Sequence, residues 1–576
     1  MTAFKRKESV WSSYIEKDSW QSEFFDGSMY DLLKSVAARV LNRCALVFEG
    51  KQISYRQLIH LIEKTANSLK AMGINHGDVV SIISTNMPQV VVMFYAINKL
   101  GAIANMINPS FSKREIKASI EKTKSKIILI LDQIYPKIAD IVWENIDYPI
   151  IILTKVSDAL CIFKRPLYNI LNRKKRIPIK NDVQNKKIEW KSFMKRGDFS
   201  TVNYKYEKGN SEDIAAILFS GGTSGTPKGV MLTNGNFNAL QYQTNDVACF
   251  PIGISARHKS LALIPTFSGF GIGVTIHGML CFGKKVYLLP KFDFEKSIHL
   301  VFKKKIEYVY GVPALFEVMS RNPLIEKRDL SFLKLLVSGG DRLPIELQNR
   351  INSHLEKGGS NARIREAYGQ TECICVCAIS PTFNIKIGSV GIVYPDMKVK
   401  IVKPGTTEEL PIGETGELCV NGPTVMKGYF NNPEESAKAL RLHSDGKIWL
   451  HTGDMLSMDE DGYLYYKQRI SRMIISSGIN IYLNRLEAII RTCQFVKDVC
   501  AVGISDRIVG KRIAVYIELQ NDGITKNECD KLIKDICLEK LPSYYQPSKI
   551  IYITSFPRTH MGKIDYKKLE NENYDF

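Results

Sequence analysis

Hydrophobic positions in the first half of the chain follow two different spacings. Apolar residues recur every three or four positions in residues 55–72 and 88–100, which predicts two helices. The apolar runs outside them are short and predict buried strands, at residues 79–84, 102–106, 126–131 and 148–153. Strands that alternate with helices need crossover connections, so this half of the sequence predicts parallel sheets in an α/β arrangement.

The pattern changes in the second half of the chain. Between about residues 388 and 466 the apolar runs are shorter and the turns closer together, which predicts a small β subdomain with strands at 399–402, 416–420 and 463–466. Beyond residue 469 strands and helices alternate afresh, with helices beginning near 483 and 525. We therefore predict an N-terminal domain, residues 1–468, of parallel-sheet subdomains plus the small β subdomain, and an α+β C-terminal domain, residues 469–576.

Composition narrows the class of protein. A chain of 576 residues is too long for one core, and 45% hydrophobic with 24% charged residues is ordinary for a soluble globular protein. The N-terminus is basic but lacks the apolar segment of a secretory signal, so we expect a cytoplasmic protein. The 12 cysteines form no CxxC pair, which predicts reduced thiols rather than a metal cluster. The alternation of Cys373, Cys375 and Cys377 predicts one face of a strand.

The formal net charge of +20 is unevenly spread. Residues 164–196 hold 12 Lys and Arg against two acids. A solvated, lysine-rich insertion explains this run, and a peripheral contact with anionic lipid or with ligand phosphates is the alternative. No zinc-finger, RRM or helix-turn-helix signature accompanies the charge, so a nucleic-acid partner is not expected.

Residues 219–230, FSGGTSGTPKGV, directly follow an apolar run that predicts a strand. Glycines allow backbone N–H groups to converge on one point, hydroxyls add donors, and Lys228 adds a positive charge, so the stretch predicts a cradle for a polyphosphate. The Walker A pattern GxxxxGK[ST] is absent. A flexible turn between two strands remains the alternative on this stretch alone.

Four further segments could share a nucleotide with that loop. The sequence YGQTE at 368–372 places a hydroxyl beside a carboxylate suited to Mg²⁺, and HTGD at 451–454 offers an acid to ribose hydroxyls. Arg469 begins the C-terminal domain, and PRTHMGKID at 557–565 places Lys563 behind a glycine. Each segment alone is compatible with an ordinary turn or a solvated charge.

Taken together and in this order, the segments resemble those of the adenylate-forming superfamily, which comprises acyl- and aryl-CoA synthetases, peptide-synthetase adenylation domains and beetle luciferases. The resemblance extends from about residue 30 to residue 569 and includes VSGGD at 337–341. It implies a large N-terminal and a small mobile C-terminal domain. It also implies activation of a carboxylate with Mg·ATP to an acyl-adenylate, followed by transfer to a thiol, with CoA as the expected cosubstrate.

The resemblance assigns roles by position. Lys228, Thr371, Glu372 and Lys563 are the implied catalytic residues, with Glu372 as a Mg²⁺ ligand and Thr223 as a possible second ligand. Asp454 and Arg469 are implied to hold the ribose, and Lys563 to reach the carboxylate and α-phosphate oxygens. The remaining implied ATP- or AMP-binding residues are Ser220, Gly221, Gly222, Thr223, Ser224, Gly225, Thr226, Gly339, Gly340, Asp341, Tyr368, Gly369 and Gln370.

The expected acyl pocket is apolar. Its residues are Phe267, Ser268, Phe270, Gly271 and Val312, with no acid between 266 and 274 to pair with a substrate ammonium group. Aromatic and aliphatic walls favour a medium- or long-chain fatty acid, with an aromatic or sterol-like acid as second choice. The glycines of this segment are expected to leave room for the chain.

Three other functions remain open on the sequence. The first is transfer of the acyl group to the phosphopantetheine arm of an acyl carrier protein instead of CoA. The second is a member that binds nucleotide without turnover, although the joint presence of Lys563, Glu372 and Asp454 argues against it. The third is a membrane or nucleic-acid binder that uses the basic run at 164–196.

Overall fold

The computed structural model describes residues 24–141, 143, 149–171, 187–198, 207–220, 227–247, 257–290, 293–326, 329–382, 384–476, 479–506, 510–520, 525–541, 545–558 and 564–571. The chain divides into two compact units. The first comprises residues 1–400, 419–451 and 459–465, and the second residues 401–418, 452–458 and 466–576. None of the helices in the described ranges combines the length and the apolar character that a membrane crossing requires.

The helices of the described residues are α1 (Met29–Arg39), α2 (Tyr55–Ala71), α3 (Pro88–Lys99), α4 (Lys113–Thr123), α5 (Val156–Ala159), α6 (Lys164–Leu171), α7 (Trp190–Arg196), α8 (Asn234–Val247), α9 (Met279–Cys281), α10 (Phe294–Lys304), α11 (Pro313–Arg321), α12 (Pro323–Glu326), α13 (Ile345–Lys357), α14 (Pro433–Ala439), α15 (Leu483–Ile490), α16 (Lys526–Lys540) and α17 (Tyr566–Glu570). A π-helix occupies Phe270–Gly278, and 3₁₀ turns occupy Tyr135–Lys137, Thr371–Cys373 and Ile470–Arg472.

The strands are β1 (Cys44–Phe48), β2 (Lys51–Ser54), β3 (Val79–Ile83), β4 (Ile103–Met106), β5 (Ile127–Leu131), β6 (Ile150–Thr154), β7 (Lys187–Glu189), β8 (Ile214–Ser220), β9 (Lys228–Thr233), β10 (Lys259–Ala262), β11 (Lys285–Leu288), β12 (Tyr308–Gly311), β13 (Leu335–Gly339), β14 (Ile364–Tyr368), β15 (Ala378–Ile379), β16 (Ile392–Val393), β17 (Lys398–Val402), β18 (Gly416–Asn421), β19 (Gly428–Tyr429), β20 (Leu440–Leu442), β21 (Ile448–Met458), β22 (Leu464–Arg469), β23 (Met473–Ser476), β24 (Ile479–Tyr482), β25 (Val496–Asp506), β26 (Gly510–Leu519) and β27 (Lys549–Tyr552).

Two mainly parallel sheets form the first unit. One has the order β16-β15-β14-β13-β12-β10-β11-β1-β2 and is parallel from β14 to β1. The other has the order β19-β9-β8-β4-β3-β5-β6-β7 and is parallel from β8 to β7. Their central strands are buried, as in the β5 run of five apolar residues, because helices cover sheets of this kind.

Two smaller sheets complete the fold. The third sheet pairs β17, β18, β21 and β20 in that order, with β22 on β21. The fourth, in the second unit, has the order β24-β23-β26-β25, with β27 parallel to β26. Its core joins α15 and α16 to the sheet through buried aliphatic residues, among them Leu486, Val515 and Ile533.

The predicted fold class is confirmed: parallel sheets with helical crossovers, a small β sheet and an α+β C-terminal part are all present. The boundary at 468/469 stays a prediction. The described ends of the basic run at 164–196 are helix and strand: α6 begins at Lys164, β7 extends the second sheet, and α7 buries Trp190, Phe193 and Met194 while Lys191, Lys195 and Arg196 stay exposed. Residues 172–186 of that run lie outside the described residues.

The strand expected at the alternating cysteines is wrong. Cys373 ends a 3₁₀ turn, and Ile374 follows with a positive φ of 64°, which breaks any extended run. The Cys375 N–H then donates to the Cys373 carbonyl over 2.8 Å. This tight turn, rather than a strand, carries the three thiols.

The expectation that the glycines of the acyl segment leave room is also wrong. A Cβ added at Gly269 would lie 1.5 Å from the Ile374 carbonyl oxygen, and one at Gly271 would lie 1.9 Å from that of Pro265. The same test at Gly273 meets the Ile374 side chain at 2.9 Å. These glycines therefore permit close backbone packing of the π-helix, and they do not enlarge a pocket.

This packing predicts opposite outcomes for two glycines of one helix. Gly271→Ala forces a methyl into the Pro265 carbonyl and should cost about 3 kcal/mol or more of stability. Gly278→Ala meets its nearest atom at 3.4 Å, an ordinary contact, and should change stability by less than about 1 kcal/mol. Denaturant unfolding of both variants checks this, and equal losses would contradict the packing described.

Candidate active site

The predicted phosphate cradle is the connection of a β-hairpin. Strand β8 pairs antiparallel with β9, and the register brings Ser220 opposite Lys228. Ser220 is half-buried at the end of β8, and Lys228 begins β9. Gly221, Gly222, Thr223, Ser224, Gly225 and Thr226 lie outside the described residues.

Lys228 lies between a carboxylate and an aromatic face. Its ammonium group forms an ion pair with Glu435 at the start of α14 and lies 5.1 Å from the centre of the Tyr429 ring. Lys438 pairs with the same carboxylate at 2.6 Å. These two lysines lower the pKa of Glu435 to about 2, so Glu435 is ionised throughout the physiological range.

Glu372 is buried and held from two sides. The Tyr429 hydroxyl donates to its Oε1 over 2.9 Å, and the Met426 N–H donates to its backbone carbonyl over 2.8 Å. Its other carboxylate oxygen has no hydrogen-bond partner within the described ranges. Tyr429 is fixed because β19 pairs with β9, placing Tyr429 opposite Val230. One tyrosine therefore contacts both Glu372 and Lys228.

The segment 368–374 has a backbone that only certain residues allow. A Cβ at Gly369 would lie 2.2 Å from the Cys375 carbonyl oxygen, so glycine is required for this turn. Tyr368 ends β14, and Thr371 opens the 3₁₀ turn half-buried. The Nε2 of Gln370 is buried without a hydrogen-bond partner in the described part of the chain. An orphaned buried donor in a predicted nucleotide segment fits a ligand that accepts from it.

The parallel pairing of β13 and β14 brings two predicted segments to one sheet edge. Gly339 lies opposite Ala367, so Gly340 and Asp341 leave the sheet beside Tyr368. Gly340 has a φ of 82°, and a Cβ there would approach Val312 at 3.6 Å. In open α/β sheets ligands bind at the carboxyl ends of the parallel strands, and this edge is such a position.

Glu366 is a buried residue that hydrogen-bonds to the segment following Asp341. It is buried on β14, and its Oε1 accepts the Leu343 N–H over 3.0 Å, which anchors the segment after Asp341. Burial raises the pKa of Glu366 to about 7, with the Leu343 N–H acting in the opposite direction.

A small cavity of about 20 Å³, room for roughly one water, lies next to this edge. Its lining is mostly apolar and aromatic: Thr244, Val247, Phe270, Val274, Tyr310, Leu335, Val337, Arg365, Val376, Ile379 and Tyr394. The Arg365 guanidinium donates to the carbonyls of Ser380 and Val247 over 2.6 and 2.8 Å. The described residues of the lining include no acid.

Phe270 connects the cavity to the predicted nucleotide edge. Its ring packs edge-on against Tyr310 with centroids 6.2 Å apart, and it lies 3.4 Å from the position of a Gly339 Cβ. Phe267 and Ser268 are half-buried just before it. The Ser268 hydroxyl donates to the Pro265 carbonyl over 2.8 Å and accepts the Gly271 N–H over 3.1 Å, so it fixes the start of the π-helix.

The expected ribose pair is directly joined within the second unit. Arg469 Nε lies 3.0 Å from Oδ1 of the buried Asp454. Thr452 Oγ1 accepts the Asp454 N–H over 3.1 Å, and Gly453 takes a φ of 68°. Lys563 lies outside the described residues.

Three residues of the site were missed in the sequence. Tyr429 was given no role from the sequence, and its contact with Glu372 spans 57 positions. Glu435 and Glu366 gave no local signal, because each depends on a partner brought close by strand pairing.

Comparison with known proteins agrees with this geometry. The family model for AMP-binding enzymes matches residues 33–430, and that for their C-terminal domain matches residues 485–563. A long-chain-fatty-acid–CoA ligase of Bacillus subtilis (strain 168) is 30% identical over 552 residues, 95% of each chain. A probable 4-coumarate–CoA ligase of Dictyostelium discoideum is 29% identical over 540 residues, 91% of each.

Solved structures show the same fold at lower identity. The anthranilate CoA ligase AuaEII in complex with anthranoyl-AMP superposes with a TM-score of 0.77 at 22% identity, covering 96% of this chain and 98% of that one. MatB from Rhodopseudomonas palustris with ATP bound gives 0.77 at 22% identity, covering 95% and 98%. The chain therefore belongs to the AMP-binding enzyme family, and the resemblance to the adenylate-forming superfamily is confirmed. It is an AMP-forming acid–thiol ligase.

The raised pKa of Glu366 predicts a pH dependence of stability. The folded state keeps a proton up to about pH 7, whereas the unfolded carboxyl, with an ordinary pKa near 4.5, loses it earlier. Stability therefore falls as pH rises between these values, by at most about 3 kcal/mol. Glu366→Gln keeps the acceptor for Leu343 and should remove this fall. Unfolding free energies at pH 5 and 8 check it, and an unchanged pH difference would contradict it.

Proposed function

We propose that this enzyme activates an apolar carboxylic acid, a medium- or long-chain fatty acid, as its acyl-adenylate and transfers the acyl group to CoA. The observation that carries the proposal is the direct contact of two segments. The turn carrying Thr371 and Glu372 continues into Ile374, whose carbonyl packs on the backbone of Gly269 in the acyl segment. The proposed phosphate-binding turn and the proposed acyl-binding segment are therefore in direct contact.

The described residues suit the first half-reaction. The substrate carboxylate is ionised at neutral pH and needs no general base. One carboxylate oxygen attacks the α-phosphorus of ATP, the bond to the bridging oxygen breaks, and pyrophosphate leaves. Negative charge grows on the phosphoryl oxygens, so cations placed there lower the barrier. Lys228 serves the β/γ phosphates in this proposal and Lys563 the α-phosphate and carboxylate oxygens.

Glu435 explains how Lys228 is held before nucleotide binds. The ion pair keeps the ammonium group beside Tyr429, next to the hairpin connection. Phosphate oxygens then compete for the same ammonium group, while Lys438 continues to neutralise Glu435. Lys228 is thus positioned by a partly buried ion pair that the phosphates of ATP would replace.

The residues around Glu372 fit a magnesium ion. Mg²⁺ takes hard oxygen ligands, and the carboxylate is oriented by Tyr429 with one oxygen left over in the described structure. Glu372 would hold the ion, with Thr223 as a further candidate, and the bound ion would neutralise phosphate charge. Tyr429 would then act as a positioning residue.

The second half-reaction needs a thiol acceptor. CoA is proposed because the curated relatives described above are named CoA ligases. The thiolate attacks the acyl carbonyl carbon, and AMP leaves with the bonding pair. Transfer to an acyl carrier protein is the alternative, and it predicts acylated carrier protein and no acyl-CoA.

The fatty-acid assignment depends on the cavity beside Phe270. Burial against the apolar lining gains about 0.8 kcal/mol per CH₂ of the substrate, whereas a substrate ammonium group would meet no acidic partner among the described lining residues. The present volume of about 20 Å³ is too small for an acyl chain, so binding of the chain would require side chains of the lining to move. Relatives named for coumarate keep an aromatic acid as the second choice.

Removing the charge at Glu372 should weaken the response to magnesium. In Glu372→Gln the shape remains but a hard anionic ligand is lost, so half-maximal adenylation should need about tenfold more Mg²⁺. Tyr429→Phe should shift the same titration less, because it removes the hydrogen bond that orients Glu372 and leaves the carboxylate itself in place. Tyr465→Phe is the matched control, since its hydroxyl donates to Asp459 elsewhere. Identical Mg²⁺ titrations for all three would remove Glu372 as a ligand.

Side-chain volume at residue 270 should set chain-length preference. Phe270→Leu and Phe270→Ala open the cavity stepwise, so kcat/KM should move progressively toward longer straight-chain acids. The profile is measured over acids from short to long, beside proteinogenic amino acids and coumarate. A profile that stays fixed across the series, or a preference for an amino acid, would overturn the assignment.

A further inference from the structure

Three side chains that the nucleotide and acyl sites do not use lie together in the third sheet. Cys419 is on β18, His451 is on β21, and His443 directly follows β20. The Sγ of Cys419 and one ring nitrogen of each histidine all lie within 4.8 Å of one another. All three residues are buried, with exposures of 0%, 4% and 7% for Cys419, His443 and His451.

Strand pairing fixes the three positions. Strands β18 and β21 are neighbours in the sheet, and β20 pairs antiparallel with β21. The turn between β20 and β21 is closed because the His443 N–H donates to the Lys447 carbonyl and the Gly446 N–H donates to the His443 carbonyl, each over 3.0 Å. His443 is therefore held at the end of a hairpin beside the strand that carries His451.

The two imidazoles face each other through nitrogen. Their Nε2 atoms lie 3.0 Å apart, so between two neutral rings one Nε2 carries the shared proton and the other accepts it. The Nδ1 of His443 is buried and lacks a hydrogen-bond partner within the described ranges. Only one ring nitrogen of His443 is therefore hydrogen-bonded in the described structure, and the ring lies beside a buried thiol. These side chains can still serve as metal ligands.

One thiol and two imidazoles form a donor set that suits Zn²⁺. Zn²⁺ binds imidazole nitrogen at about 2.0–2.1 Å and thiolate sulfur at about 2.3 Å, which places tetrahedral ligands roughly 3.3–3.6 Å apart. The two Nε2 atoms are 3.0 Å apart and no pair of ligand atoms in the cluster is more than 4.8 Å apart, so shifts of about an ångström reach that geometry. The Trp449 ring packs on His443 with centroids 5.8 Å apart and helps to hold the imidazole in place. The positive charge of the nearby Lys400 is compensated, because Lys400 forms an ion pair with Asp445 at 3.1 Å.

We propose that Cys419, His443 and His451 form a binding site for a single Zn²⁺, with a fourth position for water. Binding releases the thiol proton to solvent and takes both imidazoles as neutral ligands. The proton shared between the two Nε2 atoms moves to the Nδ1 of the ring that carries it, so that both Nε2 atoms are free to bind the metal. The ion joins the β20–β21 hairpin to β18. This site is independent of the proposed acyl-CoA ligase reaction.

The test uses the full-length, reduced protein stripped with a chelator. Co²⁺ is titrated as the spectroscopic probe, and Zn²⁺ is then used to displace it. We expect a thiolate-to-cobalt charge-transfer band that saturates at one ion per chain, and a melting temperature that rises with Zn²⁺. Cys419→Ser and His443→Gln should each lower Zn²⁺ affinity by at least about tenfold. Cys377→Ser, which removes a buried thiol outside the cluster, should leave affinity unchanged.

X-ray absorption on zinc-loaded wild-type protein keeps the test decisive if a variant fails to fold. One sulfur and two imidazole nitrogens around zinc support the site. A shell of oxygens, or of two or more sulfurs, overturns it. So does a charge-transfer band that persists in Cys419→Ser, or wild-type protein that binds no stoichiometric ion.

Discussion

The contact between the π-helix at Phe270–Gly278 and the turn at Ile374 is the constraint on which the site depends. Two backbones approach so closely that Gly269 could not carry a Cβ, because that atom would lie 1.5 Å from the Ile374 carbonyl oxygen. Ile374 in turn needs a positive φ, which costs energy for a β-branched residue and persists only where packing compensates. This contact sets the distance between the carboxylate of Glu372 and the apolar cavity beside Phe270.

On the other side of that turn, one tyrosine contacts two charged side chains of the proposed site. Tyr429 donates to Glu372 and places its ring face against Lys228, so the proposed metal ligand and the proposed phosphate-binding cation are positioned by the same side chain. The pairing of β19 with β9 holds this tyrosine beside the hairpin that leads into and out of residues 221–226. Preorganisation of this kind places charges before substrate arrives, and that is where electrostatic catalysis obtains most of its effect.

The sequence was sufficient for features that depend on local chemistry. Spacing of apolar residues located α2 and α3 and strands such as β5, since burial on both faces leaves a continuous apolar run. Motif order located the family and the segments around Gly340 and Glu372. Contacts between residues far apart in the chain could not be predicted from the sequence. Lys228 and Glu435 are 207 positions apart, and no local pattern near either residue indicates the other. The strand expected at the alternating cysteines was wrong because the spacing of residues does not reveal a positive φ at Ile374. The room expected at the acyl glycines was wrong because a glycine can allow two backbones to pack closely as well as leave a pocket open.

ATP–pyrophosphate exchange in the absence of CoA tests the central claim most directly, because only a reversible adenylation step returns labelled pyrophosphate to ATP. The account predicts exchange that requires Mg²⁺ and a fatty acid, that increases with chain length, and that proceeds without any thiol. Exchange with no carboxylic acid in a broad panel, or exchange that begins only when CoA is added, would contradict it.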